Sequence, residues 1–376
     1  MLDRLKLIAE LQSLADVLFV DTTSSVDYAQ RAWNQLVHDP SFLYKVLQVI
    51  NPPWPVPLWS DSLGATVSVA QRSEPYVVFS VDGSQIYPDR HNILSCCLIN
   101  SGSVVIPYAL EGKRVEFYSE PTVFAGLDDT QTPYTVDSVN CKRQELELAA
   151  GLALGKRIAH TYGVGTFSTL LFDGSLIFWH LLSKEHEVKD YFLGSYMLLL
   201  EQLYQEKITT AWYISMPKSK ELMSLIRLYL CNFDYHKKEL YEVVDSVIDS
   251  SIMYSFLMPH SRTIVFRNRS AISDYYPAYL APYFFYIHTG AEIGRIEIPG
   301  WIAHNESLVD DIASLLIDQC IKGHGYPVAL AEAHEQAVVK GPDREFFYHY
   351  LQKIGIERQQ KLATSRKSMQ KRGMAI

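Results

Sequence analysis

Apolar residues recur at three- and four-residue spacing through Leu5, Ile8, Leu11, Leu14 and Ala15, and again from Tyr28 to Ile50, so residues 1–50 read as amphipathic helix. NPPWPVPLW at 51–59 interrupts this pattern with four prolines, which break helix, and is expected to be a linker into the main domain. From Tyr76 to about Phe124 the pattern changes to strands. YVVFSVD is an apolar run; NILSCCLIN and SVVIPYAL follow, expected to join in a hairpin turn at Ser101-Gly102-Ser103, with 114–118 as a third strand. A helix is predicted over 136–162, with Asp137 or Ser138 as its N-cap. Then come strand TLLFD, a helix over 183–206, strand AWYIS, a helix around 220–230 and more helix over 237–256. RTIVF, YFFYIHT and GRIEIPGWI read as late strands, and SLVDDIASLLIDQCIKG and AEAHEQAVVKG as two closing helices. A meander followed by alternating helix and strand predicts an α/β fold with a mixed sheet.

Composition changes this picture little. With 48% hydrophobic residues, 12% aromatic and 24 Tyr, the chain has the apolar area of a folded globular protein rather than a disordered one. The net charge of −8 argues against a surface that binds nucleic acid throughout. The charge is uneven, however. Arg358, Lys361, Arg366, Lys367, Lys371 and Arg372, less Glu357, give the C-terminal tail about +5 and leave roughly −13 on the rest. The five cysteines, Cys96, Cys97, Cys141, Cys231 and Cys320, form no CxxC pair, which argues against a zinc ribbon or disulfide framework and fits a reducing cytoplasm. The N-terminus carries charges throughout, unlike a signal peptide, and no apolar run is long enough for a membrane span. There is no P-loop, GxSxG or HExxH.

The candidate chemistry lies in a repeated triplet. Asp82 and Asp173 each end an apolar strand and are followed by Gly-Ser, at 83–84 and 174–175. Asp-Gly after a strand is ordinarily a turn. Two such aspartates at one sheet edge would repel unless a cation lay between them, and hard divalent ions prefer carboxylate oxygens. In KRQELELAAGLAL, Glu145 shares a stripe with Leu148, Ala149 and Leu152, so it is read as the inward acid and Glu147 as the solvated one. Tyr326 and His334 lie about two helical turns apart in GHGYPVALAEAHEQA, and a histidine can ligate a metal or contact phosphate. Lys218 and Lys220 open a helix, where the dipole favours anions, and suit phosphate binding. With Arg143 they form a candidate basic track.

Taken together, VDGSQ (81–85), KRQELEL (142–148), LLFDGSLI (170–177), YISMPKSK (213–220) and GYPVALAEAH (325–334) resemble the NurA nucleases, partners of HerA-type hexameric ATPases in DNA end resection. The resemblance implies an RNase H-like mixed-sheet core flanked by helices over 61–356; the N-terminal helical region (1–60) and the basic tail (357–376) lie outside it. It implies metal-dependent DNA hydrolysis with Mn²⁺ or Mg²⁺ held by Asp82, Asp173 and Glu145, or Glu147 in its place, with Tyr326 and His334 completing the site. Ser84, Arg143, Lys218 and Lys220 would contact DNA. A cytoplasmic homodimer docked on a HerA-type ATPase ring is the implied assembly. A non-catalytic RNase H-like scaffold and a phosphoesterase for small esters are the alternatives.

Overall fold

The computed structural model describes residues 2–19, 21–50, 52–88, 96–129, 131–163 and 165–358. Four helices come first, α1 (Arg4–Ser13), α2 (Ala15–Leu18), α3 (Thr23–Leu36) and α4 (Phe42–Leu47), then a short strand β1 (Thr66–Ser68). The meander is β2 (Tyr76–Ile86), β3 (Cys96–Tyr108) and β4 (Glu116–Ala125). Next are α5 (Val136–Tyr162), β5 (Phe167–Asp173), α6 (His186–Gln205), β6 (Thr210–Ile214), α7 (Glu221–Leu230) and α8 (Asp249–Phe256). Strands β7 (Ser261–Thr263), β8 (Phe266–Arg267), β9 (Pro282–His288) and β10 (Ile293–Pro299) lead to α9 (Gly300–Ala303), α10 (Glu306–Lys322), α11 (Val328–Ala337) and α12 (Gly341–Glu357).

The strands form one sheet in the order β1-β7-β9-β10-β6-β5-β2-β3-β4, with β8 also on β9. β5 runs parallel to both β2 and β6, while β3 and β4 continue antiparallel on one side and β10, β9 and β7 on the other. The α/β mixed sheet flanked by helices is therefore as predicted. β2 reads as a continuous apolar run because both its faces are covered. Val77, Phe79 and Val81 pack toward α5 and α6, while Tyr76 and Val78 pack toward α10 and α11. At the other half of the sheet, α3, α7 and α8 cover the face opposite α10. Each of the four clusters of buried apolar residues contains one cysteine: Cys231, Cys141, Cys320 and Cys97. All five thiols are free and buried.

Several expectations require correction. Ser101-Gly102-Ser103 is not a turn: β3 runs unbroken through it, with Gly102 opposite Asp82. A glycine between serines has turn composition, but here it makes room for a helix, because a Cβ on Gly102 would lie 2.1 Å from the Ala337 amide nitrogen. The proline-rich segment is no free linker. Leu58 exchanges backbone hydrogen bonds with Arg267, and Trp54 packs on Tyr241. The N-cap of α5 is Thr135, whose hydroxyl accepts from the Ser138 amide. Residues 237–256 are not one helix but two short 3₁₀ turns before α8. α12 is a third closing helix, with Gly355 as its one buried residue. α1 and α2 bury none. The basic tail at 359–376 lies outside the described residues. Among the described residues no helix is long and apolar enough to cross a membrane.

Candidate active site

Sheet register brings the two aspartates together. The last paired residues of β2 and β5 are Ser80 and Leu171, and Asp82 and Asp173 each stand two residues beyond, on the same face. Past that point β2 stays with β3 and β5 with β6, so the strands part where the carboxylates stand. Asp82 receives the Gly83 amide at 2.8 Å. Asp173 is the more exposed aspartate, yet protein packed around its carboxyl raises its pKa, the Tyr326 hydrogen bond opposes this, and the charge of Asp82 adds to it.

The third acid is Glu147, not Glu145. Gly83 is the reason it fits: a Cβ there would lie 2.6 Å from both Arg143 Cγ and Glu147 Oε1. Burial pushes the Glu147 carboxyl up to about 8; Arg143 opposes, and Asp82 and Asp173 reinforce. Arg143 Nη1 donates to the Gly83 carbonyl at 2.9 Å and lies 3.3 Å from Glu147 Oε1, which has no hydrogen-bond partner. Arg143 therefore braces the site's own groups rather than standing free for DNA. Glu145 is turned inward, as its stripe suggested, but toward α6. It accepts from the Ser195 hydroxyl and pairs with Lys142 at 2.7 Å.

The remaining side of the site comes from α11. Tyr326 precedes this helix rather than lying in it, and its phenol lies beside Asp173. Burial, followed by the charge of Asp173, pushes that phenol well above its ordinary range. His334 Nδ1 lies 2.7 Å from Asp82 Oδ2, on a side chain 63% exposed. The end of α11 is stitched to the meander, with Asn100 Nδ2 donating to the Gln336 and Ala337 carbonyls. Ser84 Oγ accepts from the Val339 amide at 3.2 Å, so it anchors the exit from α11.

The two lysines of the expected basic track differ in their surroundings. Lys220 Nζ donates to the Asp245 carbonyl, and Lys218 is exposed. The anion at the N-terminus of α7 is the protein's own: Asp249 accepts from the Leu222 and Met223 amides at 3.1 and 2.8 Å. Sequence reading also missed the support beneath the second triplet. Glu297 Oε2 accepts from Ser175 Oγ at 2.7 Å and the Leu176 amide at 2.9 Å, and Glu297 Oε1 pairs with buried Arg295 at 2.8 Å. The available signal was Arg-x-Glu on one face of the otherwise apolar strand GRIEIP.

Among the described residues, no three His, Cys, Asp or Glu side chains already stand within reach of one metal ion. The donors are nonetheless of the kind a hard divalent cation takes. Three carboxylates face one corner, and buried Glu147 Oε1 accepts no hydrogen bond, having only the ion pair to Arg143. A cation here would offset both the burial and the neighbouring carboxylate charges that raise Glu147.

The family profile described as NurA domain matches residues 76–339. Among solved structures, one described as NurA bound to dAMP and manganese is similar over 88% of this chain and 94% of that one, at 10% identity and TM-score 0.36. The native protease-reverse transcriptase of Prototype Foamy Virus is similar over 41% of this chain and 19% of that one, at 18% identity and TM-score 0.21. Among curated proteins none matches.

Proposed function

The chain belongs to the NurA family of nucleases, and on that premise we propose that it hydrolyses DNA phosphodiesters with Mn²⁺ or Mg²⁺ at the corner formed by Asp82, Asp173 and Glu147. The observation that carries this is the convergence of carboxylates from β2, β5 and α5, with the charge of Asp82 felt by both Asp173 and Glu147. Those three residues would hold the cation, which when bound supplies an acidified water and offsets charge on the phosphate. Tyr326 stands beside Asp173, where its phenol would orient the carboxylate. His334 holds Asp82 through Nδ1, which leaves Nε2 to give or take a proton at the reacting water or leaving oxygen. Arg143 keeps Glu147 over Gly83. The proposal extends to a cytoplasmic homodimer that works with a HerA-type hexameric ATPase in end resection. Exposed apolar side chains on α1, α2 and α12, such as Leu5, Leu18 and Phe346, support such assembly.

The test is cleavage of labelled DNA by the full chain with Mn²⁺, with Mg²⁺ and in chelator. Cleavage should require the metal and fall by about 10²-fold or more in Asp82→Asn, as when a transition-state stabiliser is removed. Metal-stimulated cleavage that survives in Asp82→Asn refutes the assignment.

A further inference from the structure

Beyond the carboxylates, the chain after Asp173 leads into a groove that the proposed reaction does not yet use. A cavity of about 400 Å³ has Ser175 and Lys218 in its wall, and a second of about 780 Å³ has Arg267 and Arg269. The two share Trp54, Pro55 and Trp179, so they form one continuous groove. Each is of the size that bound ligands occupy, about 300–1,000 Å³.

The chemistry of its walls is that of a nucleic-acid strand site. Lys218, Arg267 and Arg269 are exposed, and none forms an ion pair among the described residues. The other cations of its walls are engaged: Arg227 pairs with Asp245 at 3.0 Å, Lys220 donates to the Asp245 carbonyl, and buried Arg295 pairs with Glu221 and Glu297. The exposed carboxylate of this groove is Asp274. Trp179 is 39% exposed, and its ring has no aromatic or cationic partner among the described residues. It sits six residues past Asp173, on a 3₁₀ turn anchored by Phe178, which is buried against Tyr196 and Tyr276. The opposite wall is equally fixed, because Leu58 pairs with Arg267 in the sheet. Trp54 lies before the family-matched region, so this wall is supplied by the chain's own N-terminal segment.

We propose that this groove binds a single-stranded stretch of the DNA substrate, with a base against the Trp179 indole and its phosphates toward Arg267 and Arg269. Every base has a π-face, so stacking on an indole suits a strand of any sequence, and the unpaired cations suit its backbone. This rests on the nuclease reading for the identity of the substrate, though not for the binding itself.

The experiment is fluorescence anisotropy of the full chain with labelled oligothymidylate and with duplex, in chelator to block turnover. Hydrolysis of bis(4-nitrophenyl) phosphate with Mn²⁺ is followed alongside. Trp179→Ala should weaken oligothymidylate binding on the order of tenfold, and Trp179→Phe should restore most of it. Arg267→Ala with Arg269→Ala should weaken binding and reduce the salt slope by roughly 1.4, at ~0.7 per phosphate contact. Small-diester hydrolysis should be unchanged in all of them. Unchanged oligothymidylate affinity in both the Trp179 and the arginine variants, or a loss confined to duplex, overturns the groove assignment. Selective loss of single-strand binding in a protein that cleaves neither DNA nor the small diester upholds the groove and refutes the nuclease reading instead.

Discussion

Glu145 and Glu147 are two positions apart, and the spacing of apolar residues in α5 favours the former as the inward acid. The structure separates them by a different stripe. Arg143, Glu147, Gly151 and Gly155 recur at four-residue intervals, and Cβ atoms on the two glycines would press on Leu170, Phe172 and Ile208. The small residues mark the line along which α5 lies closest to the sheet, and Glu147 continues it toward Asp82. Apolar periodicity locates a buried face, but α5 has two neighbours, and only the glycines tell the sheet side from the α6 side. Glu147→Gln should lower metal-dependent cleavage by at least about 10–100-fold, the range seen when even groups behind a metal ligand are lost. Glu145→Gln should keep activity and cost about 1 kcal/mol through its Ser195 contact. The raised carboxyl of Glu147 also sets a pH dependence. An acid raised on folding contributes stability that is fully present below its unfolded range and lost as pH rises through the folded value, here about 8. In chelator, the melting temperature should therefore fall between pH 5 and 8 more steeply in the wild type than in Glu147→Gln. Parallel curves would mean that Glu147 ionises freely.

At the level of elements, the strands and helices that carry the site were legible because each is long and strongly patterned. β2, α5 and β5 fall where apolar runs and spacing put them. The hairpin assigned to Ser101-Gly102-Ser103 was not, because sequence cannot tell a glycine that lets the chain turn from one that lets another element come near. Gly102 does the latter, beneath the end of α11 and beside Asp82. Gly102→Ala should destabilise the fold by about 1–3 kcal/mol, as overpacking does. It should also depress turnover by displacing His334, with Ser103→Ala as a milder control. Differential scanning fluorimetry and Mn²⁺-dependent cleavage measure the two effects. Full activity in Gly102→Ala would dismiss the role of this contact in placing the helix.

Across the whole molecule, one sheet joins regions that sequence order keeps apart. The alternation of strands and helices after α5 foretold a mixed sheet. It did not foretell that the N-terminal helix α3 would complete a core with α7 and α8, because such packing joins residues some two hundred positions apart and leaves no local period. The single cysteine in each cluster turns this architecture into its own reporter. Burial holds the Cys97 and Cys141 thiols up to about 11 and Cys320 up to about 12, so the native protein should resist alkylation at neutral pH. Under rising denaturant, labelling read by peptide mass spectrometry should reach Cys97 first, since its cluster is the smallest, and Cys141, Cys231 and Cys320 together afterwards. Four thiols placed one to a cluster thus make each compartment's opening separately visible, with no mutation added.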